Sequence, residues 1–232
     1  MKKYEQIASQ ILKRINSNEF KESKKLPTEE QFMKEYNISR NTIRNAEKIL
    51  IKTGLIYPIQ GSGMFIRENK RVDTVFLSGT RGITLEHSGK NIKTKCLKLE
   101  LIEADENLAK TMQCELNTPI YYIERLRTIN EIPYAIEYTY YNKNIVRYLS
   151  KEIAEKSIFH YLKNDIKLSF GFADKYISAS KLNINQSKLL KLKEDDPAIV
   201  IEDTVYLSNG TLFNSSIVYY NYKLANFYIS AD

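Results

Sequence analysis

The amino-acid sequence predicts an α+β protein of two domains, a small helical one followed by a larger strand-rich one. Three observations carry this expectation. The chain has 232 residues, too many for one small domain and enough for one small plus one medium domain. Apolar residues near the N-terminus recur at helical spacing, whereas beyond the charged stretch "RENKRVDT" the pattern becomes strand-rich with short helices. The formal charge of +7 is unevenly spread: residues 1–70 hold 14 Lys+Arg against 8 Asp+Glu, and the other 162 residues hold 21 against 20. A small basic part joined to a nearly neutral body fits a polyanion-binding module with something else attached. It equally fits a lysine-rich protein without a special partner, and composition does not choose between them.

Composition also excludes some classes. Hydrophobic content of 43% and charged content of 27% fit a globular chain rather than a disordered one. No apolar run approaches bilayer length, so no membrane partner is expected. The opening "MKKYEQIASQ" has no apolar stretch of a signal peptide. Cys96 and Cys114 show neither CxxC nor metal-ligand spacing, which favours a cytoplasmic location.

The first element is read from "YEQIASQILKRI". Tyr4, Ile7, Ala8, Ile11, Leu12 and Ile15 form one apolar stripe on a helix of about four turns. Pro27 ends any earlier helix, and Thr28 with Gln31 makes a capping-box pattern. Phe32, Met33 and Tyr36 give a second, short helix its buried side. After the turn at "YNIS", Ser39 is placed to cap a third helix that turns Ile43, Ala46 and Leu50 inward and closes at Gly54. "LIYPI", "QGSG" and "MFI" then read as a small hairpin. Two helices around a tight turn followed by a hairpin make a winged helix-turn-helix.

Arg40 and Arg44 share the outer side of the third helix, within its first two turns. The N-terminal end of a recognition helix meets base edges, and an arginine fork matches guanine O6 and N7. Asn41 and Thr42 beside them suit phosphate or base contacts. Gly61, Ser62 and Gly63 leave the hairpin tip almost without side-chain bulk, so that backbone can approach DNA closely. The competing reading pairs the arginines with Glu47 or Glu35 on a wet surface. Capping, turn, wing and charge asymmetry together favour the DNA reading.

"LPTEEQFMKEYNISRNTIRNAEKILIKTGLIYPIQGSGMFI" resembles the DNA-binding domain of the GntR family of bacterial transcription regulators. Leu26-Pro27, Ser39-Arg40, Thr42-Ile43-Arg44, Gly54-Leu55-Ile56 and Gly61-Ser62-Gly63 fall in register with it. The resemblance implies base reading by Arg40 and Arg44, entry of the Gly61–Gly63 wing tip into the minor groove, and an operator-contact set of Thr28, Arg40, Asn41, Thr42, Arg44, Gln60, Gly61, Ser62 and Gly63. Where the family usually has an arginine in a "PSER" turn, this chain has "PTEE" with Glu30, so either the operator differs or binding is weaker.

The body contains an internal echo. "DENLAKTMQCELNTPIYYIERLRT" aligns with "NQSKLLKLKEDDPAIVIEDTVYL" when Pro119 is laid on Pro197. A duplicated unit of strand, helix, strand and strand, offset by 78 residues, predicts antiparallel sheets with helices packed on them. Chemistry is sparse: His87 and His160 lack metal-ligand spacing, and GxGxxG, Walker and GxSxG loops are absent. No cofactor and no enzymatic activity are expected.

A binding site is easier to derive. In "IYYIERLRTINEIPYAIEYTYY", Ile120, Tyr122, Leu126, Tyr134, Ile136, Tyr138 and Tyr140 form an apolar side, and Arg125, Arg127, Glu137 and Thr139 the opposite side. With a hairpin loop over 130–132, odd residues oppose odd residues and Glu137 comes close to Arg125. Two arginines suit a phosphate or carboxylate, and a neighbouring carboxylate suits sugar hydroxyls. A surface salt-bridge ladder is the plain alternative. "FLSGTRGITLE" offers a second anion site at Ser78, Gly79, Thr80, Arg81 and Gly82, or simply a capped turn. Ser157 is either a polar contact or an N-cap, and Tyr220 either closes a pocket or packs in the sheet.

Behind the GntR-like part, "ERLR", a short hairpin, "E-Y-T-Y" and "S-I-F-x-Y" resemble the UTRA effector-binding domain of the HutC subfamily, whose fold is similar to chorismate lyase. The resemblance implies that Arg125, Arg127 and Ser157 hold a phosphate, that Glu137 and Tyr220 contact a sugar, and that Ser78, Thr80 and Arg81 belong to a further phosphate-binding stretch. Relatives often carry Arg, Gly and Asp after the matching tyrosine where this chain has Asn221, Tyr222 and Lys223. The expectation is a winged helix-turn-helix over 1–66, a linker over 67–76 and an effector-binding and dimerisation domain over 77–232. Its partners would be double-stranded operator DNA, a sugar-phosphate effector and a second copy in a homodimer. The function would be repression of a sugar uptake or catabolic operon. An effector derived from amino-acid breakdown, a chorismate-lyase-type enzyme and a non-specific nucleic-acid binder are the alternatives.

Overall fold

The computed structural model describes residues 3–52, 54–67, 74–77 and 91–229. Contacts divide the chain into two compact units. One takes in residues 1–72, 76–78 and 228–232, the other residues 73–75 and 79–227.

In the first unit, α1 (Lys3–Asn16) buries Ile7, Ala8 and Ile11, the centre of the expected stripe. The capping box is present at α2 (Glu29–Tyr36): Thr28 accepts the Gln31 N–H, and the Gln31 side chain accepts the Thr28 N–H. Asn37 ends α2 in the left-handed region, at φ 49. Ser39 then starts α3 (Arg40–Lys52), its hydroxyl accepting the Thr42 N–H at 3.3 Å. The core joins Ile7, Ile11, Phe32, Ile43, Ala46, Leu50 and Ile56. Ile43, Ala46 and Leu50 lie on one side of α3, so its other side is turned outward.

The wing is β1 (Ile56–Ile59) paired with β2 (Gly63–Ile66) in antiparallel register. Its loop is Gln60–Ser62, shorter than the four residues "QGSG", because Gly63 already pairs with Ile59. Gly61 has φ 75, which favours glycine, and among the described residues nothing stands within 4 Å of where a Cβ would be. Lys24 and Leu26 tie the wing to the segment before α2: Leu26 N–H donates to Met64 O and Ile66 N–H to Lys24 O. Gly54, at φ 62, lies so close to the Tyr228 ring that a Cβ would stand 2.6 Å from it. Tyr228 is on β10 (Asn226–Tyr228), which pairs with β3 (Thr74–Phe76).

The second unit is built on one antiparallel sheet in the order β4-β5-β6-β9-β8-β7. The echo in the sequence is its architecture. β4 (Ile92–Glu103), α4 (Glu106–Met112) and β5 (Pro119–Ile129) recur 78 residues later as β7 (Phe170–Lys181), α7 (Ile184–Leu190) and β8 (Pro197–Leu207). β6 (Ile132–Asn142) has its counterpart in β9 (Leu212–Asn221), and those two strands join the halves.

α4 and α7 cover one side of the sheet, over Ile120, Ile136, Ala198 and Leu212, with Leu190 of α7 packed among them. α5 (Lys151–Ala154), α6 (Ile158–His160) and the π-helical turn Tyr161–Asp165 supply Ala154, Ile158 and Leu162 to the other side, over Ile123, Tyr141, Val205 and Phe213. Each side therefore has its own apolar cover. This explains why strands expected to alternate apolar and polar carry few exposed residues in β5 and β6.

Candidate DNA interface and effector site

Arg40 and Arg44 stand outward on α3, with more than half of each side chain exposed. Their partners differ from those weighed in the sequence. Glu35 is held by Arg14 at 2.6 Å, and Glu47 is buried. The acid that meets both arginines is Glu29, at 2.8 Å from Arg44 Nε and 3.6 Å from Arg40 Nε. Glu30, where the resemblance leads one to expect arginine, lies 3.5 Å from Arg40 Nη2. Exposed pairs of this kind are worth at most about 1 kcal/mol, so DNA phosphates and bases can displace them. Thr42 shares its hydroxyl with Ser39 at 2.9 Å, while Asn41 and the tip residues Gln60, Gly61, Ser62 and Gly63 are exposed. Thr28 is exposed as well, with its hydroxyl engaged as the α2 cap. Burial, and to a lesser extent Glu29, pushes the Glu47 carboxyl up to about 7 against the opposing pull of Arg44.

On the sheet, the register sets Arg125 opposite Glu137. The reason differs from the expected one. The hairpin loop is Asn130–Glu131, a two-residue turn with both residues at positive φ (50 and 66). That turn alone sets odd residues opposite even ones, as in Ile129↔Ile132. A bulge between Arg127 and Thr128 restores odd opposite odd, and Tyr134 is the extra residue. Tyr134, expected on the apolar side with Ile136, instead meets Tyr220 edge-on at 5.7 Å.

Arg125, Arg127 and Glu137 are buried together, at 3%, 2% and 8% exposure. Arg125 Nη2 donates to Glu137 Oε1 at 2.6 Å, and Arg127 Nη1 lies 3.5 Å from Glu137 Oε2. Thr139 donates its hydroxyl to Glu137, and Arg125 Nη1 donates to Ala154 O. Burial alone would raise the Glu137 carboxyl, but Arg125 and Arg127 outweigh it and hold the group below the usual carboxylate range. Burial likewise opposes the Arg125 charge, and Glu137 more than restores it. This is no exposed ladder: three charged side chains share one desolvated site.

Tyr220 is buried, its ring edge-on to Tyr134 and Phe227, and its backbone pairs with Ala135 beside Arg127. Ser157 caps α6 by accepting the His160 N–H at 3.2 Å, three residues past the Ala154 carbonyl that Arg125 holds. A cleft of about 500 Å³ opens at the β4 edge among Ile92, Lys93, Thr94, Glu152, Glu155 and Lys156. Thr94 is the β4 partner of Arg127. Ser78, Thr80 and Arg81, with the rest of that turn and His87, lie outside the described residues. Among the described residues no group of His, Cys, Asp and Glu could hold a metal ion, and no helix is long and apolar enough to cross a membrane.

Comparison with known proteins resolves the family. Residues 3–66 match the model for bacterial regulatory proteins of the gntR family, and residues 87–224 match the UTRA domain. The chain is 32% identical to the uncharacterised HTH-type transcriptional regulator YydK of Bacillus subtilis over 232 residues, covering 100% of this chain and 98% of that one. It belongs to the GntR family, as a GntR DNA-binding part joined to a UTRA domain. The crystal structure of YydK superimposes with a TM-score of 0.82 at 32% identity, covering 100% of both chains. The B. subtilis HTH-type transcriptional repressor NagR is 27% identical over 212 residues, 90% of this chain and 86% of the relative. The effector-binding domain of the B. subtilis trehalose repressor matches with a TM-score of 0.55 at 27% identity, over 60% of this chain and 97% of that one. This GntR protein is therefore a transcriptional regulator, and its relatives are regulators rather than enzymes.

Sequence reading of this regulator missed two features. Glu29 is the acid that holds both outward arginines. Across the sheet, Ser216, Asp203 and Lys175 continue the polar side begun by Glu137 and Thr139, in register Thr139↔Ser216, Ser216↔Asp203 and Asp203↔Lys175. The aligned echo contained Asp203, in "VIEDTVYL", and applying its offset to Arg125 would have reached it.

Proposed function

We propose that the chain is a cytoplasmic, homodimeric repressor of a sugar uptake or catabolic operon, and that a phosphorylated sugar releases it from operator DNA. The observation that carries this reading is the buried Arg125–Glu137–Arg127 set. Burying three charges is costly, and apolar packing would serve stability as well or better. An anion-binding role accounts for the arrangement: the arginine pair takes a phosphate, and Glu137 turns to sugar hydroxyls. Similarity to a trehalose repressor's effector-binding domain supports a carbohydrate, and similarity to the repressor NagR supports repression.

In this reading residues 1–66 bind DNA, 67–76 link, and 77–232 bind effector and dimerise. Arg40 and Arg44 read bases, Asn41, Thr42 and Thr28 position the helix on phosphates, and the Gln60–Gly63 tip enters the minor groove. Arg125, Arg127 and Ser157 hold the phosphate together with Ser78, Thr80 and Arg81, and Tyr220 bounds the sugar end. A two-fold protein suits a two-fold operator. The outer strand β7, where Phe172, Tyr176 and Ile177 are more than half exposed, supports self-association. The effector acts by binding one arrangement of the protein better than the other.

The test uses a duplex selected from random DNA by the chain itself, with sedimentation to give the stoichiometry. Release is then followed with hexose phosphates, inorganic phosphate and small carboxylates. Release by a hexose phosphate from a two-chain complex is the expected result. Release by carboxylates alone would replace the phosphosugar with an amino-acid breakdown product.

A further inference from the structure

The repeat that builds the sheet also builds a second end to its polar face. Arg125 lies on the second strand of the first repeat, and the residue 78 positions on is Asp203, on the second strand of the other. Arg125 pairs with Cys96 on β4 and Glu137 on β6, while Asp203 pairs with Lys175 on β7 and Ser216 on β9. Register partners share a face. The row Thr139–Ser216–Asp203–Lys175 therefore continues the side of the sheet that carries Arg125 and Glu137. The two halves put opposite charges at equivalent places, with a cation from one repeat and an acid from the other.

Asp203 is only partly satisfied there. Lys175 Nζ contacts its Oδ2, whereas Oδ1 is buried without a hydrogen-bond partner among the described residues. Burial raises the Asp203 carboxyl, Lys175 opposes this, and the charges of Glu137 and Asp174 add to the rise. A buried carboxylate oxygen without a donor is costly to the folded protein, and a ligand hydroxyl or ammonium would remove that cost. Arg125 Nη2 reaches Glu137 on β6, and β8 stands two strand spacings beyond, about 10 Å. That span is on the scale of a hexose bearing a phosphate at one end.

We propose that Asp203 is the donor-recognising end of the effector site, and that the effector carries an anionic group at one end and hydroxyl or amino donors at the other. Ser216 stands between Asp203 and Thr139 in the row, on the face that carries both ends. The proposal rests on the reading of the Arg125–Glu137 face as the effector site. It goes further by naming a residue from the second repeat.

Calorimetry on the full chain with glucose 6-phosphate, glucosamine 6-phosphate and inorganic phosphate separates the two claims. Asp203→Asn removes the charge and keeps the shape. It should weaken the tighter of the two hexose phosphates about tenfold or more while leaving inorganic phosphate unchanged. Arg127→Ala should weaken all three. If Arg127→Ala weakens a hexose phosphate and Asp203→Asn leaves it unchanged, Asp203 is only the structural partner of Lys175 and the inference is wrong. If the native chain binds none of the three, both the effector reading and the inference built on it are overturned. Thermal melting of the unliganded Asp203→Asn and Arg127→Ala chains shows whether each is folded, and Asp203→Ser or Arg127→Gln replaces it in the same titrations if it is not.

Discussion

Arg125 and Glu137 meet at 2.6 Å between Nη2 and Oε1, at 3% and 8% exposure, with Arg127 completing the site from the same strand as Arg125. Removing one member leaves the others charged and desolvated. Glu137→Ala should therefore cost about 3–5 kcal/mol of stability, read by urea denaturation. A loss below about 1 kcal/mol would show that water already screens the set.

The outward arginines of α3 make a different prediction. Arg44→Ala should relax sequence preference as well as affinity, because a guanidinium fork at the start of α3 discriminates bases by roughly 1–3 kcal/mol. Binding measured against a panel of single-base operator variants checks this. A uniform loss over the panel, with a shallower salt dependence, would reduce Arg44 to a phosphate contact.

Glu30 lies 3.5 Å from Arg40, where the family usually places an arginine. Glu30→Arg should tighten operator binding and steepen its salt dependence by about one released counterion. Unchanged affinity and slope would mean that this turn does not face DNA.

Glu47 makes stability depend on pH. Burial, with Glu29 adding to it, raises its carboxyl from 4.5 to about 7 in the folded chain. A raised acid binds its proton more tightly when folded, so this group's stabilisation is complete below about 4.5 and is lost as pH rises through 7. Glu47→Gln, neutral at every pH, should match the native melting temperature near pH 4.5 and exceed it by several degrees at pH 8. A difference that stays constant between those values would show that Glu47 is hydrated.

Much of this was legible in the sequence because local chemistry determines it. The Thr28–Gln31 capping box, the Ser39 cap, the Gly54 stop and the inward Ile43–Ala46–Leu50 stripe are short-range features. The 78-residue echo was legible for a related reason, since each repeat uses the same strand and helix lengths. What stayed hidden depended on register and on long-range contacts. The odd-to-odd pairing was expected from a longer loop, but it arises from a two-residue turn corrected by a bulge at Arg127–Thr128. Glu29 was passed over because Glu35 and Glu47 lie on or beside the helices at plausible spacing. Only the packing shows that Arg14 takes Glu35 and that Glu47 is buried. Asp203 joins the Arg125 face through β9, a neighbour that sequence distance does not reveal.

The central claim is that the buried arginine face senses the effector and does not itself hold DNA. Arg127→Ala tests it most directly, with operator affinity and effector-driven release measured on the same selected duplex. The variant should bind operator within about twofold of the native chain and show no release at hexose phosphate concentrations that fully release the native protein. Native release by the variant, with unchanged effector affinity, would contradict it.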